Sequence, residues 1–198
     1  MRLTLTVALF LLPAHPHVPA EAPVIQVIVT DLADTFSWTV AQAERHAARI
    51  LRQAGVDTAW QRSREPARST ARDNGQRFNI RLIIQRRFQG RRDENSRTAL
   101  GAAPDTQEEC GGAIYLFYDR IADTAHMHQL DIALVMGHVI AHEIGHRLLP
   151  HSQHSPTGLM RFPWKADDLE AAASGLLLFS ANDAEAVRHA ASSCDPAR

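Results

Sequence analysis

The stretch that decides the fold is residues 130–149, LDIALVMGHVIAHEIGHRLL. Its apolar residues recur at helical spacing, and Pro150 cannot continue a helix, so the stretch predicts one long helix. Residues four apart share a helix face, so His142 and His146 can bind one metal ion. Glu143 lies beside them, where a carboxylate can take a proton from water. The apolar neighbours favour a buried metal site over a surface helix that merely carries histidines.

Histidines are concentrated around this helix. Seven of the eleven fall within residues 126–154: His126, His128, His138, His142, His146, His151 and His154. His138 lies one turn before His142, and we expect it to support the site or pack in the core rather than bind metal. We expect His126 and His128 to lie on the surface or at a cleft rim.

A catalytic zinc ion usually has three protein ligands and one open position. The sequence offers three candidates for the third ligand: His154, which we favour, His151 and Glu170. Glu170 would match the arrangement of thermolysin-like peptidases, in which a later helix supplies a glutamate. Its position also suits an acidic residue in the first turn of a helix, which the helix dipole stabilises.

The segment after the helix resembles that of the metzincin zinc peptidases, most closely their matrixin-like members. The resemblance is carried by HEIGH at 142–146, by His154-Ser155 and by Gly158-Leu159-Met160. The family has a glycine three residues after the second histidine and its third ligand three residues further on. Here those positions are Leu149 and Ser152, so His154 comes two residues late and the loop before it is longer.

The resemblance implies an α+β zincin fold: a twisted mixed sheet with an antiparallel edge strand over the cleft, the HExxH helix, and C-terminal helices. It implies a Zn²⁺ endopeptidase in which Glu143 is the general base and Met160 supports the metal site from below. It also implies that residues 113–118 form the edge strand. The expected cleft residues are Ala113, Ile114, Tyr115, Phe162 and Trp164.

The remaining pattern predicts a single domain over residues 21–198. We expect strands at residues 24–30, 56–61, 78–86 and 113–118, because these runs are rich in β-branched and apolar residues. Helical spacing predicts a helix at residues 37–53 and two more after residue 166. Residues 62–76 and 90–112 are rich in arginine or in Gly, Pro, Asp and Asn, and are expected to be loops.

The N-terminus and the cysteines bear on location. Residues 1–20 resemble a signal peptide, with an apolar run at residues 3–12 and small residues before a cleavage site after Ala20. We therefore expect a secreted or periplasmic protein without a membrane span. Export would allow Cys110 and Cys194 to form a disulfide.

Charge is uneven along the chain although the net charge is only −1. Residues 61–97 hold eleven arginines and four acids but only two aromatic residues, Phe78 and Phe88, which is too few for a platform that stacks on bases. We therefore expect no specific nucleic-acid partner. The resemblance to metzincins implies a peptide or protein substrate, and we expect a monomer. Two alternatives stay open: an inactive zinc-binding interaction protein of the same fold, and a protein that binds anionic polymers through the basic segment.

Overall fold

The sheet that supports the site has five strands in the order β2-β1-β3-β5-β4. The computed structural model describes residues 21–64, 79–87, 98–104, 111–149 and 154–194. Strands β1, β2, β3 and β5 run parallel to one another, and β4 is antiparallel to β5. The strands are β1 (Val24–Asp31), β2 (Asp57–Ser63), β3 (Asn79–Gln85), β4 (Gly101–Ala102) and β5 (Gly111–Phe117).

The central strands alternate between buried and partly exposed residues. In β3, Ile80, Leu82 and Ile84 are fully buried, and β5 buries Ile114 and Leu116 in the same core. Successive side chains of a strand point to opposite faces, so this alternation places one face of the sheet against the helices. The other face is only partly covered.

The prediction that residues 113–118 form the antiparallel edge strand is wrong. β5, which contains Ala113, Ile114 and Tyr115, lies between β3 and β4 and runs parallel to β3. The antiparallel edge strand among the described residues is β4, within a stretch that the sequence predicted to be loop, and β2 lies at the opposite edge. Gly101 pairs with Leu116, and Ala102 pairs with Tyr115. The apolar run of β5 is therefore that of an interior strand, which typically is apolar on both faces.

Five helices are described: α1 (Ser37–Gln53), α2 (Tyr118–Met127), α3 (Ile132–Leu148), α4 (Ala166–Ala173) and α5 (Ala181–Ser193). The predicted helices are present, and the predicted bounds of α1 are confirmed. α2 was not predicted. It buries only Ile121 and Ala125, too few apolar positions to give a clear periodic pattern.

The predicted α+β class, with a mixed sheet and later helices, is confirmed. α3 packs closely on α1 because Gly137 has no side chain: a Cβ there would lie 2.8 Å from the Ala43 carbonyl oxygen. Among the described helices, none is long and apolar enough to cross a membrane.

Several sequence predictions concern residues outside the described ranges. They are the signal peptide at residues 1–20, Cys110, His151 and most of the arginine-rich segment at residues 61–97. Cys194, the other cysteine of the chain, is disulfide-bonded.

Candidate metal centre

Helix α3 supplies two of the three side chains of the candidate metal site, His142 and His146. It begins after Asp131, whose carboxylate accepts a hydrogen bond from the Leu134 backbone N–H at 3.1 Å. This N-cap satisfies one of the free N–H groups of the first turn. The second half of the helix is almost entirely buried, including His142 and Glu143, which are 6% and 5% exposed. The helix therefore projects polar groups into a largely apolar environment.

The imidazoles of His142 and His146 point at each other as two ligands of one ion do. Their Nε2 atoms are 3.0 Å apart. Nδ1 of His142 donates to the Leu159 carbonyl oxygen at 2.8 Å, so Nε2 keeps its lone pair. Two nitrogens bound tetrahedrally to one zinc ion lie about 3.3 Å apart, given zinc–nitrogen bonds of about 2.0 Å. The observed spacing is close to that arrangement.

His154 joins this pair from the loop that follows α3. Its ring centroid lies 5.5 Å from that of His142 and 4.8 Å from that of His146. One ring nitrogen from each of the three histidines lies within 4.8 Å of the others, close enough to hold a metal ion. Glu170, the alternative third ligand, is exposed on α4 and is not part of this group of described residues.

Burial dominates the electrostatics of the site. It lowers the pKa of His142 to about 3, with the neighbouring histidines adding a smaller effect in the same direction. It raises the pKa of Glu143 to about 8. Both shifts favour the neutral form, because a low-dielectric site penalises charge. The neutral imidazole is the form that binds metal, so His142 is ready to act as a ligand at neutral pH.

Glu143 packs directly on the edge strand. A Cβ added at Gly101 would lie 2.7 Å from Oε1, 2.8 Å from Cγ and 2.9 Å from Cδ of Glu143. Real Cβ contacts are longer than this, so the carboxylate can occupy its position only because residue 101 is glycine. Sequence reasoning missed Gly101, since β4 is too short to show a strand pattern.

Met160 lies directly beneath α3. It is fully buried, and a Cβ at Gly145 would lie 2.5 Å from its Sδ atom. Its neighbour Leu159 is also buried, and its carbonyl oxygen accepts hydrogen bonds from His142 Nδ1 and from Trp164 Nε1 at 3.0 Å. The turn at residues 158–160 is therefore packed against the helix that carries His142 and His146.

A cavity of about 590 Å³ opens beside the histidines and Glu143. Its wall is mainly apolar and includes Leu100, Phe117, Met127, Val139, Trp164 and Leu169. Phe162 and Trp164, which were expected to lie in a substrate cleft, line this cavity. Ala113, Ile114 and Tyr115 are not among its lining residues, because β4 stands at the edge where β5 was expected. Residues 98–103 form that wall instead.

The other histidines of the cluster take different places. His138 is fully buried, and its Nδ1 donates to the Leu134 carbonyl oxygen at 2.8 Å. Its Nε2 has no hydrogen-bond partner among the described residues, and burial lowers its pKa to about 4. His126 and His128 are exposed, and of the two only His128 lines the cavity.

Comparisons with known proteins add no family to this picture. No family model matches the chain, and no curated protein matches it either. The candidate site is therefore defined by its own geometry: three converging histidines, a buried glutamate and an adjoining apolar cavity.

Proposed function

We propose that this protein is a zinc-dependent endopeptidase of the metzincin type. The observation that carries the proposal is the convergence of His142, His146 and His154 beside Glu143, at the wall of a cavity large enough for a substrate side chain.

The donor set suits zinc. Imidazole nitrogens are common zinc ligands, and three protein ligands beside an open cavity are typical of a catalytic rather than a structural site. His142 and His146 present nitrogen atoms from one helix face, and His154 adds a third ring nitrogen from the loop that follows the helix. When bound, a zinc ion acidifies water and polarises the carbonyl of a scissile peptide bond.

Glu143 is the general base in this proposal. Its Oε atoms accept a proton from the attacking water and deliver it to the nitrogen of the leaving amine. The carboxylate must be ionised to start this cycle. Burial alone opposes that form, whereas the positive charge of a zinc ion bound by the adjacent histidines would favour it. Glu143 is thus expected to work as a base only when the site is loaded.

The substrate is proposed to be an extended peptide that pairs with the edge strand β4. An exposed strand edge offers backbone hydrogen-bonding groups that an incoming strand can satisfy. Residues 98–103 line the cavity from this edge, so a peptide lying along β4 passes next to Glu143. Backbone pairing would hold the peptide while the apolar cavity accepts one of its side chains.

The proposed location is secreted or periplasmic. The apolar run at residues 3–12 and the small residues before position 21 support export. The disulfide at Cys194 is consistent with it, because disulfides persist mainly in oxidising compartments.

The test is a cleavage assay on the protein that begins at residue 21. The zinc-loaded protein is incubated with an unstructured protein such as casein, and the new peptide termini are identified by mass spectrometry. We expect cleavage that a chelator abolishes and that added Zn²⁺ restores. A protein that binds one Zn²⁺ per chain and cleaves no peptide bond would overturn the proposal and favour the metal-binding interaction protein.

A further inference from the structure

The third histidine is positioned differently from the other two. His142 and His146 lie on α3, whose backbone is fixed by helical hydrogen bonds and packing. His154 lies in a loop, and its side chain is exposed. An exposed side chain loses rotamer freedom when it binds a metal ion, which weakens binding unless another group already holds the ring.

The backbone at His154 is anchored through the next residue. The Ser155 N–H donates to the Met160 carbonyl oxygen at 3.0 Å, and its hydroxyl donates to Oδ1 of Asp183 at 2.8 Å. Asp183 is itself held, since Ser180 Oγ donates to its Oδ2 at 2.7 Å. These bonds fix where the His154 side chain begins, but they leave the orientation of its ring open.

The ring of Phe162 supplies that orientation. It is stacked on the His154 imidazole, with centroids 4.9 Å apart and planes inclined by 21°. Among the described residues, neither ring nitrogen of His154 has a hydrogen-bond partner. The stack on Phe162 is therefore the contact that fixes the plane of the ring, apart from contacts with the two fellow ligands.

Phe162 is held firmly enough for this role. On one side, the backbone N–H of Arg161 donates to the Gly158 carbonyl oxygen at 3.1 Å, and the guanidinium of Arg161 forms an ion pair with Asp168 at 3.5 Å. On the other side Trp164 donates its indole N–H to the Leu159 carbonyl oxygen at 3.0 Å. Both anchors belong to the turn that also fixes His142.

We propose that Phe162 is a positioning residue for metal binding, which orients the imidazole of His154 by stacking on it. Phe162 orients the imidazole of His154, just as the hydrogen bond to the Leu159 carbonyl oxygen orients the imidazole of His142. The phenyl ring leaves both nitrogens of His154 without a competing hydrogen bond. This inference rests on the three-histidine metal site and does not depend on whether the protein hydrolyses peptides.

The test is the affinity for Zn²⁺, measured by competition with a chromophoric chelator. Removing a partner that orients a metal ligand typically weakens metal affinity by about 10- to 100-fold. We expect Phe162→Leu, which keeps apolar bulk but removes the ring plane, to weaken Zn²⁺ binding by about tenfold. Phe162→Tyr keeps the ring and should bind Zn²⁺ like the unmodified protein.

Phe36→Leu is the matched control, because Phe36 is 73% exposed just before α1 and is not among the residues that line the cavity. It should leave Zn²⁺ affinity unchanged. Equal Zn²⁺ affinity in Phe162→Leu and the unmodified protein would overturn the proposal, because Phe162 would then contribute only to the shape of the cavity.

A double-mutant cycle with His154→Ala separates positioning from a general effect on folding. If Phe162 acts through His154, Phe162→Leu should have no further effect on Zn²⁺ affinity once His154 is replaced. An undiminished loss in that background would contradict the proposal. An unchanged affinity in His154→Ala alone would instead show that His154 is not a ligand, which also removes the basis for the proposal.

Discussion

The contact between Gly101 and Glu143 gives a sharp prediction about catalysis. In Gly101→Ala the new methyl group would lie 2.7–2.9 Å from three atoms of the Glu143 side chain, including Oε1. Ordinary contacts begin near 3.4 Å, so one of the two groups must move by about half an ångström or more. Residue 101 is held in the β4–β5 pairing, and the side chain of Glu143 is the more easily moved of the two.

The expected loss follows from that displacement. A misplacement of about 1 Å at a reacting group can reduce the rate by about 100-fold. We therefore expect kcat to fall by about one to two orders of magnitude in Gly101→Ala. Metal content should stay the same, because no histidine ligand is touched. Overpacking of this kind also costs about 1–3 kcal/mol of stability.

The assay compares kcat at equal zinc content with thermal unfolding of the same samples. Gly175→Ala is the control, since Gly175 has a φ of +74°, lies near Arg49 and is not among the residues that line the cavity. It should lower stability and leave kcat unchanged. Glu143→Asp, which shortens the side chain, should lose less additional activity in the Gly101→Ala protein than in the unmodified one. A kcat for Gly101→Ala within twofold of the unmodified value would refute the reasoning.

Three further predictions concern stability. Burial lowers the pKa of His138 from 6.5 to about 4, so between these pH values the unfolded chain binds a proton that the folded chain does not bind. The free energy of unfolding therefore falls by about 3 kcal/mol in total as the pH drops from about 7 to 4. His138→Asn keeps a donor for the Leu134 carbonyl oxygen, and urea unfolding of the metal-free proteins should show an acid dependence smaller by about one proton. Gly145→Ala places a methyl group 2.5 Å from Met160 Sδ, and should lower the free energy of unfolding by about 1–3 kcal/mol. Removing the metal with a chelator should lower the melting temperature, since zinc at 1,000 times its Kd stabilises by about 4 kcal/mol; an unchanged melting temperature would contradict a site formed in the folded protein.

The part of the site on α3 could be predicted from sequence because its signal is local. His142, Glu143 and His146 fall at fixed positions of one helical turn, and the apolar residues around them predict the burial that the structure shows. Helical geometry leaves little freedom in where those side chains point.

The edge strand could not be predicted in the same way. β4 has two residues, Gly101 and Ala102, and alternation cannot be recognised over so short a length. Its pairing partner β5 lies across a loop, and pairing depends on contacts that are distant in sequence. The contact between Gly101 and Glu143 follows from that pairing, so it too was visible only in the folded chain.

The grouping of His154 with α3 is an intermediate case. The resemblance to metzincins, carried in part by Gly158-Leu159-Met160, implies a turn beneath the helix. Its ring could not be placed from sequence, since the orientation depends on Phe162 and on the anchoring of Ser155 to Asp183. These contacts come from two later segments of the chain.

The most direct test of the proposed function is the rate of peptide hydrolysis by Glu143→Gln at equal zinc content. Glutamine has nearly the same shape as glutamate but cannot accept and deliver the proton. A positioned general base contributes about 10²- to 10⁴-fold to such a reaction. We predict a loss of at least about 100-fold with one Zn²⁺ still bound per chain. Hydrolysis at the unmodified rate would contradict the assignment of Glu143 as the base and, with it, the proposed mechanism.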